Sequence, residues 1–149
     1  MDATALPPAP GAYVLFIELE RAVALRATSL VASELAPGRY AYCGSARGPG
    51  GLRARLCRHL KRDKADHWHV DHLTAAGRIV ALGLAPGGRE CALVEGLSGR
   101  PGVEVPLAGF GSSDCRQCRA HLLRLARDID AKRLACDLEL VWIDCGGVP

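Results

Sequence analysis

Two tyrosines, an arginine, a histidine and a later glutamate are spaced so that one small cleft could hold all five. Tyr13 lies near the start of the run GAYVLFIEL, and Tyr42 lies near the end of GRYAYCGS. Arg55 and His59 follow four residues apart, and Glu90 comes downstream. A phenol or imidazole can deprotonate water, arginine can stabilise a pentacovalent phosphate, and a carboxylate can hold a divalent ion. These side chains are the parts that metal-assisted phosphodiester hydrolysis needs.

Two strands and a helix must place these side chains. Apolar residues alternate over 11–19 and 38–45, which predicts two strands, each with tyrosine on one face. The glycine-rich turn ARGPGG then leads to a predicted helix over 52–61. The tyrosine-bearing strand end is therefore expected to lie against the helix that carries the arginine and the histidine.

The predicted helix is amphipathic. At about 100° per residue, its buried stripe consists of Leu52, Leu56 and Leu60. Arg55 and His59 lie at the border of this stripe, where both side chains can point into a cleft beside the sheet. For an isolated pair, a boundary arginine and a histidine at the edge of the core are the more common outcome.

The remaining pattern predicts an α+β fold, with a small, largely antiparallel sheet flanked by helices. We expect a three-stranded core plus an extra hairpin strand, in which residues 22–29 pair with the first strand and 78–86 form a buried strand. Further helices are expected over 66–77, 90–99 and 127–139. Residues 120–126 fit a strand or a helix, and 140–145 fit an edge strand.

Length and composition fit one globular domain. The chain has 149 residues, of which 49% are hydrophobic and 23% charged. We expect the domain over 10–145, between a disordered lead-in at 1–9 and a flexible tail at 146–149. The N-terminus does not resemble a signal peptide, and no apolar run approaches the roughly 20 residues of a membrane span. These features predict a cytoplasmic protein with no membrane partner.

Positive charge is concentrated in one segment. The net charge of the chain is +3, but residues 47–64 hold seven Lys or Arg against one acid, a local charge of +6. Such a patch favours a polyanionic partner, and a solvated helix face is the alternative. Arg58 and Arg62 are expected to face solvent or a ligand. The candidate nucleic-acid contacts are Arg47, Arg53, Arg58, Lys61, Arg62 and Lys64.

The chain has seven cysteines, an odd number, and no export signal accompanies them. Reduced thiols are therefore the better interpretation. Cys115, Cys118 and His121 have the C-x₂-C-x₂-H spacing that supplies three ligands of a zinc site. The fourth ligand could be Cys91, or one of the histidines His67 and His69. The alternative is a turn that carries reduced thiols without a metal.

The order of these residues resembles the GIY-YIG nucleases. GAY at 11–13 matches the family's strand Gly-x-Tyr, and YCG at 42–44 matches its strand Tyr-x-Gly. Leu52, Arg55 and His59 match its helix Leu-x-x-Arg-x-x-x-His. The resemblance covers roughly residues 10 to 97 and is to a compact branch, sometimes fused to DNA-repair glycosylases.

The resemblance implies a role for each candidate. Tyr13 would be the water-activating phenol, with Tyr42 as its partner on the adjacent strand. Arg55 would stabilise the transition state, and His59 would assist proton transfer. Glu90 falls where the family places its metal-binding glutamate, so it would ligate Mg²⁺ or Mn²⁺.

The chain departs from the family pattern in two ways. Ala12 and Cys43 replace the usual isoleucines, on the face opposite to the tyrosines. Many members also place an asparagine after the glutamate helix, and this chain contains no asparagine. Ser113 or Asp114 could take its place.

The implied function is a divalent-metal-dependent endonuclease that cleaves DNA, or RNA, in repair or processing, with a DNA-repair protein as an expected partner. One alternative is a catalytically weak module that binds nucleic acid and targets a partner repair enzyme. A second is a zinc-stabilised structural or interaction domain. The sequence leaves the oligomeric state open.

Overall fold

An antiparallel sheet organises the chain in the computed structural model, which describes residues 3–25, 33–61, 63–64, 69–111 and 115–146. The strands are β1 (Gly11–Leu19), β2 (Val23–Leu25), β3 (Ser33–Leu35), β4 (Gly38–Ala46), β5 (Arg78–Pro86), β6 (Val103–Glu104), β7 (Leu122–Leu125) and β8 (Val141–Asp144). Six of them form one sheet in the order β6–β7–β4–β1–β5–β8, and every neighbouring pair is antiparallel. The other two, β2 and β3, pair separately.

Helices cover both faces of the six-stranded sheet. They are α1 (Gly51–Leu60), α2 (His69–Ala76), α3 (Glu90–Ser98) and α4 (Ala131–Asp137). Leucines of α1 and α2 share one apolar cluster with one face of β1, and those of α3 and α4 share a second cluster with the other face. None of the helices in the described ranges has the length and apolar character needed to cross a membrane.

Strand β1 lies in the middle of the sheet, between β4 and β5, and both of its faces are buried. Tyr13, Leu15 and Ile17 pack toward α1 and α2, which confirms the predicted apolar face of this strand. Val14 and Phe16 pack toward α3 and α4. A strand that is apolar on both faces suits the middle of a sheet covered on two sides.

The α+β class and the antiparallel character of the sheet are confirmed, but the expected strand count is wrong. The sheet has six strands rather than a three-stranded core with one hairpin strand. The predicted hairpin partner also pairs elsewhere, because β4 and β5 occupy both edges of β1 and leave β2 to pair with β3. Residues 26–29 of that predicted strand lie outside the described residues.

Neighbouring strands decide the structure of residues 120–126, which fit either a strand or a helix, and of residues 140–145. Residues 122–125 form β7, because β4 offers them a free edge on which to pair. Strand β8 lies at the edge of the sheet beside β5, as predicted for 140–145. The short strand β6 extends the opposite edge of the sheet beside β7.

The segment before β1 is part of the fold rather than a disordered lead-in. Leu6 is completely buried, and the carbonyls of Pro7 and Ala9 accept hydrogen bonds from Arg53 N and Leu52 N, both at 2.9 Å. These bonds satisfy backbone donors that the first turn of a helix otherwise leaves unpaired. The lead-in prediction is therefore wrong for residues 3–9. Residues 1–2 and residues 147–149 of the predicted tail lie outside the described chain.

Candidate active site and candidate metal centre

The two candidate tyrosines lie on the same face of neighbouring strands. In the register of β1 and β4, Tyr13 is opposite Gly44 and Leu15 is opposite Tyr42, so the tyrosines are diagonal neighbours. The phenol of Tyr13 lies directly over Gly44, where a β-carbon would collide with its ring and hydroxyl. Glycine at this position therefore makes room for the first tyrosine.

Tyr13 contacts the histidine of α1. Its Oη is 2.6 Å from His59 Nε2, and the two side chains are only 1% and 2% exposed. The ring of Tyr42 meets the same imidazole at a centroid distance of 6.3 Å, edge to face. Both candidate tyrosines thus contact the side chain of the candidate histidine, as was expected from the sequence.

Burial decides the protonation states of this pair. It lowers the pKa of His59 to about 3, with the Asp71 carboxylate opposing the shift and the Arg55 guanidinium adding to it. Burial also raises the pKa of Tyr13 well above its ordinary value, as does Tyr42, while Arg55 acts in the opposite direction. At neutral pH a protonated phenol therefore faces a neutral imidazole, and the phenol can donate its hydrogen to Nε2.

Arg55 lies beside this pair at the end of the sheet. Its Nη1 donates to the carbonyl of Ser45, near the end of β4, at 3.0 Å. Its charge lowers the pKa of both Tyr13 and His59, so the guanidinium is close to both rings. A half-buried cation next to a phenol and an imidazole is suited to binding a phosphate.

Glu90 reaches the same end of the sheet from α3. It is the first residue of that helix and is half-buried. Burial is the main cause of the raised pKa of Tyr42, and the negative charge of Glu90 is the next largest cause. The same charge also raises the pKa of Tyr13. Helix α3 begins shortly after β5 ends at Pro86, opposite Gly11 at the start of β1. The carboxylate therefore approaches the two phenols around the end of the sheet.

The basic segment is less uniformly exposed than its sequence indicates. Arg47 and Lys61 are exposed, and Arg47 Nη2 donates to the carbonyl of Gly88 at 3.0 Å. Arg53 and Lys64 are half-buried, and they too donate to backbone carbonyls, to Leu6 at 2.8 Å and to His59 at 3.0 Å.

Arg58, which was expected to face solvent or a ligand, is 28% exposed and is paired with a carboxylate of α2. Its guanidinium forms a bidentate pair with Asp71 of α2, at 3.0 and 2.9 Å, and the Asp71 side chain is completely buried. Sequence reasoning missed Asp71, which joins α1 to α2 and is the largest charge that opposes the lowered pKa of His59. The available signal was a carboxylate between the buried Val70 and Leu73 of an amphipathic helix.

A second cluster lies on the α3 side of the fold. One ligand atom from each of four residues lies within 4.8 Å of all the others, a spacing that could hold a metal ion, and the residues are Cys91, Cys115, Cys118 and His121. The Sγ atoms of Cys91 and Cys115 are 3.6 Å apart. Of the three predicted choices for the fourth ligand, the fold brings in Cys91. His69 instead accepts a hydrogen bond at Nδ1 from Gly111 N at 2.9 Å.

The chemistry of these four side chains fits a metal ion. Backbone N–H groups of Gln117 and Cys118 lower the pKa of the Cys115 thiol to about 6, which favours its thiolate, whereas burial raises the pKa of the Cys91 and Cys118 thiols. His121 is 4% exposed, and its Nε2 has no hydrogen-bond partner among the described residues. A metal ion would satisfy this nitrogen.

Several sequence predictions fall on residues outside the described ranges. They are the basic candidate Arg62, the ligand candidate His67, residues 66–68 of the helix predicted over 66–77, and the asparagine substitutes Ser113 and Asp114.

Comparison with known proteins places the chain in a family. Residues 12–139, from the start of β1 to the end of α4, match the model described as "Domain of unknown function DUF123". No curated protein and no solved structure matches the chain. Because the match covers most of the chain and both clusters described above, this protein belongs to the DUF123 family.

Proposed function

We propose that this protein is a divalent-metal-dependent endonuclease of the GIY-YIG type, which hydrolyses phosphodiester bonds in DNA, or in RNA, during repair or processing. The observation that carries the proposal is the 2.6 Å contact of Tyr13 Oη with His59 Nε2. The Arg55 guanidinium and the Glu90 carboxylate are both close enough to shift the pKa of this phenol. This group combines a proton-transfer pair, a cation and a carboxylate at one end of the sheet. Phosphodiester hydrolysis uses these three functions together.

The 2.6 Å contact of Tyr13 with His59 offers a path for one proton, which burial holds on the phenol at rest. The raised pKa of Tyr13 keeps its phenol protonated, and the lowered pKa of His59 keeps its imidazole neutral. Transfer of this proton to Nε2 is uphill from that resting state, so it has to be concerted with the transfer of a proton from the attacking water to the phenol oxygen. The new bond forms between water oxygen and phosphorus while the bond to the leaving oxygen breaks.

Two further side chains act on charge and position. Arg55 is placed to stabilise the negative charge that builds on the phosphate. Tyr42, packed edge-on against His59, holds the imidazole in its orientation.

Glu90 is proposed to hold Mg²⁺ or Mn²⁺. Its carboxylate and the neighbouring phenols are hard oxygen donors, which suit these ions better than they suit zinc. When bound, the ion would neutralise the leaving oxygen.

The second cluster is proposed to hold Zn²⁺. Three thiolates and one imidazole are a preferred zinc set, and Zn–S bonds in a tetrahedron place sulfurs about 3.8 Å apart. The separation of 3.6 Å between Cys91 and Cys115 is close to this value. Because all seven cysteines are free thiols and zinc binding needs reduced thiolates, we place the protein in the cytoplasm.

A second candidate function is a catalytically weak module that binds nucleic acid and targets a partner repair enzyme. It is favoured by the near-complete burial of Tyr13 and His59, which restricts the access of water, and by the absence of asparagine from the chain. Both functions require nucleic-acid binding, and only the first requires cleavage.

A cleavage assay tests the primary proposal. Labelled DNA and RNA of single-stranded, duplex and branched form are incubated with Mg²⁺, Mn²⁺ or chelator. Glu90→Gln, Tyr13→Phe and Arg55→Ala should each cleave about a hundredfold more slowly, the usual cost of losing one such group. Glu95→Gln is the matched control, because Glu95 is exposed on the same helix. A Glu90→Gln protein that cleaves at the parent rate would show that the site is wrong, and binding without cleavage in any condition would support the weak module.

Binding is tested separately from cleavage. Arg47 and Lys61 are exposed, so charge reversal of both to Glu should weaken binding and flatten its salt dependence without unfolding the protein. Arg127→Glu is the control, because Arg127 is exposed beside Glu18 and Gly38 at the opposite end of the sheet. Absence of binding at low salt would contradict both candidate functions.

A further inference from the structure

The metal centre joins two parts of the chain that are distant in sequence. Cys91 lies in the first turn of α3, whereas Cys115, Cys118 and His121 lie on the segment that leads into β7. One ion bound to all four would therefore cross-link the start of α3 to this segment. A cross-link of this kind restricts local motion more than any single hydrogen bond there.

The first contact between the centre and the nuclease site is through α3. Glu90 directly precedes Cys91, and both belong to the first turn of the helix. The N-cap residue, Arg89, makes no side-chain capping hydrogen bond, so this helix end lacks the usual restraint against fraying. A metal–sulfur bond at Cys91 would supply that restraint one residue from the carboxylate.

The second contact is through β4. The backbone N–H of Cys43 donates to the carbonyl of His121 at 2.8 Å, and His121 N donates to the carbonyl of Phe110 at 2.8 Å. Cys43 directly follows Tyr42, and the ring of Phe110 meets that of Tyr42 edge to face at 6.4 Å. The backbone of His121 is thus bonded to Cys43, which follows the tyrosine in sequence, and to Phe110, whose ring packs against the tyrosine ring.

The two sites lie on opposite faces of the same strand. Tyr42 faces the α1 side of β4, while Cys43 points to the α3 side. Burial is the main cause of the raised pKa of the Cys43 thiol, and the charges of Cys118, Glu90 and Cys91 add to it. Cys43 therefore lies close to the metal centre, although it is not one of the four ligands. A rigid centre on one face would hold the tyrosine on the other.

We infer that the ion held by Cys91, Cys115, Cys118 and His121 is a structural zinc that positions Glu90 and Tyr42, and the positioning part of this inference rests on the proposed nuclease function. The four ligands are positioning residues, since none of them reaches the reacting atoms. Loss of the ion should release the start of α3 and the adjoining part of β4 together. The binding of Mn²⁺ by Glu90 should weaken as a consequence.

The first experiment measures the ion without using activity. Purified protein should contain about one zinc per chain, and cobalt(II) in its place should give the sulfur-to-metal charge-transfer band of a tetrahedral thiolate site. Cys118→Ser should lose the zinc and lower the melting temperature. Cys136→Ser, at an exposed cysteine of α4, should change neither. A zinc-free protein that shows no thiolate band with cobalt would overturn the metal centre.

The second experiment tests positioning. Cys118→His keeps a ligand and should retain the ion, the fold and Mn²⁺ binding with a shifted cobalt spectrum, whereas Cys118→Ser should weaken Mn²⁺ binding about tenfold. In the cleavage assay, Cys118→Ser should lower kcat about 10–100-fold with little change in KM. A zinc-free Cys118→Ser protein with parent Mn²⁺ affinity and kcat would overturn positioning. If the parent cleaves nothing, the proposed function fails, and zinc content and Mn²⁺ affinity still decide this inference.

Discussion

Acid should destabilise this protein through His59. Burial lowers the pKa of this imidazole to about 3, against an ordinary value of 6.5 in the unfolded chain. Above about pH 6.5 both states hold it neutral, so it contributes no pH dependence. Below that pH the unfolded chain binds a proton and the folded protein does not. Stability should therefore fall as the pH drops from 6.5 toward 3.

The magnitude follows from the two pKa values. At about pH 5, the unfolded imidazole is almost fully protonated and the folded one is neutral. Linkage then lowers the free energy of unfolding by about 2 kcal/mol relative to its value at about pH 7.5. His59→Gln removes the titration and leaves the hydroxyl of Tyr13 without its imidazole partner. The loss of that contact should cost roughly 1–3 kcal/mol at both pH values, so it cancels in the difference.

Urea denaturation at the two pH values measures the effect, with circular dichroism as the probe. The parent should lose about 2 kcal/mol more than His59→Gln between about pH 7.5 and pH 5. Other acid-sensitive groups, including the cysteine ligands of any bound ion, are common to both proteins and cancel. Equal losses in the two proteins, or an imidazole that titrates near its ordinary pKa in the folded protein by NMR, would refute the reasoning.

Two further substitutions probe the packing around the site. Arg58→Met should destabilise the protein by about 3–5 kcal/mol in urea denaturation, because it leaves the buried carboxylate of Asp71 unpaired. Asp71→Asn should destabilise it less, since the guanidinium of Arg58 is 28% exposed and can reach water. Equal costs would contradict this account. Gly44→Ala should cost about 1–3 kcal/mol and slow cleavage, because the new methyl group collides with the Tyr13 phenol. Gly99→Ala, which meets no atom within 4 Å, should have little effect, and similar losses in both glycine variants would count against the collision.

Local periodicity predicted most of the longer strands and helices and the faces that their side chains share. Alternation along 11–19 predicted a strand with Tyr13 on its apolar face, and the i, i+4 spacing placed Arg55 and His59 on one side of a helix. Both features are local, because the pleat of a strand and the turn of a helix set them without reference to the rest of the chain. The α+β class followed from the same periodicities.

The pairing between elements was decided only by the tertiary structure. Strand β2 was expected beside β1, but β4 and β5 occupy the two edges of β1. Strand β4 pairs along the whole of β1 and β5 pairs along its residues 11–18, so β2 pairs with β3 instead. The N-terminal segment lacks periodicity, yet Leu6 is buried because α1 exposes backbone donors that the segment can satisfy.

The site shows the same division. Composition and spacing identified its candidate residues, but Arg58 was expected to face solvent or a ligand because its partner, Asp71, lies on another helix. Cys91 was one of three choices for a fourth ligand, and the start of α3 brings it to within 3.6 Å of Cys115. Spacing along the chain determines which way a side chain points within its own element. Which groups then meet across elements depends on how the two helical layers pack on the sheet.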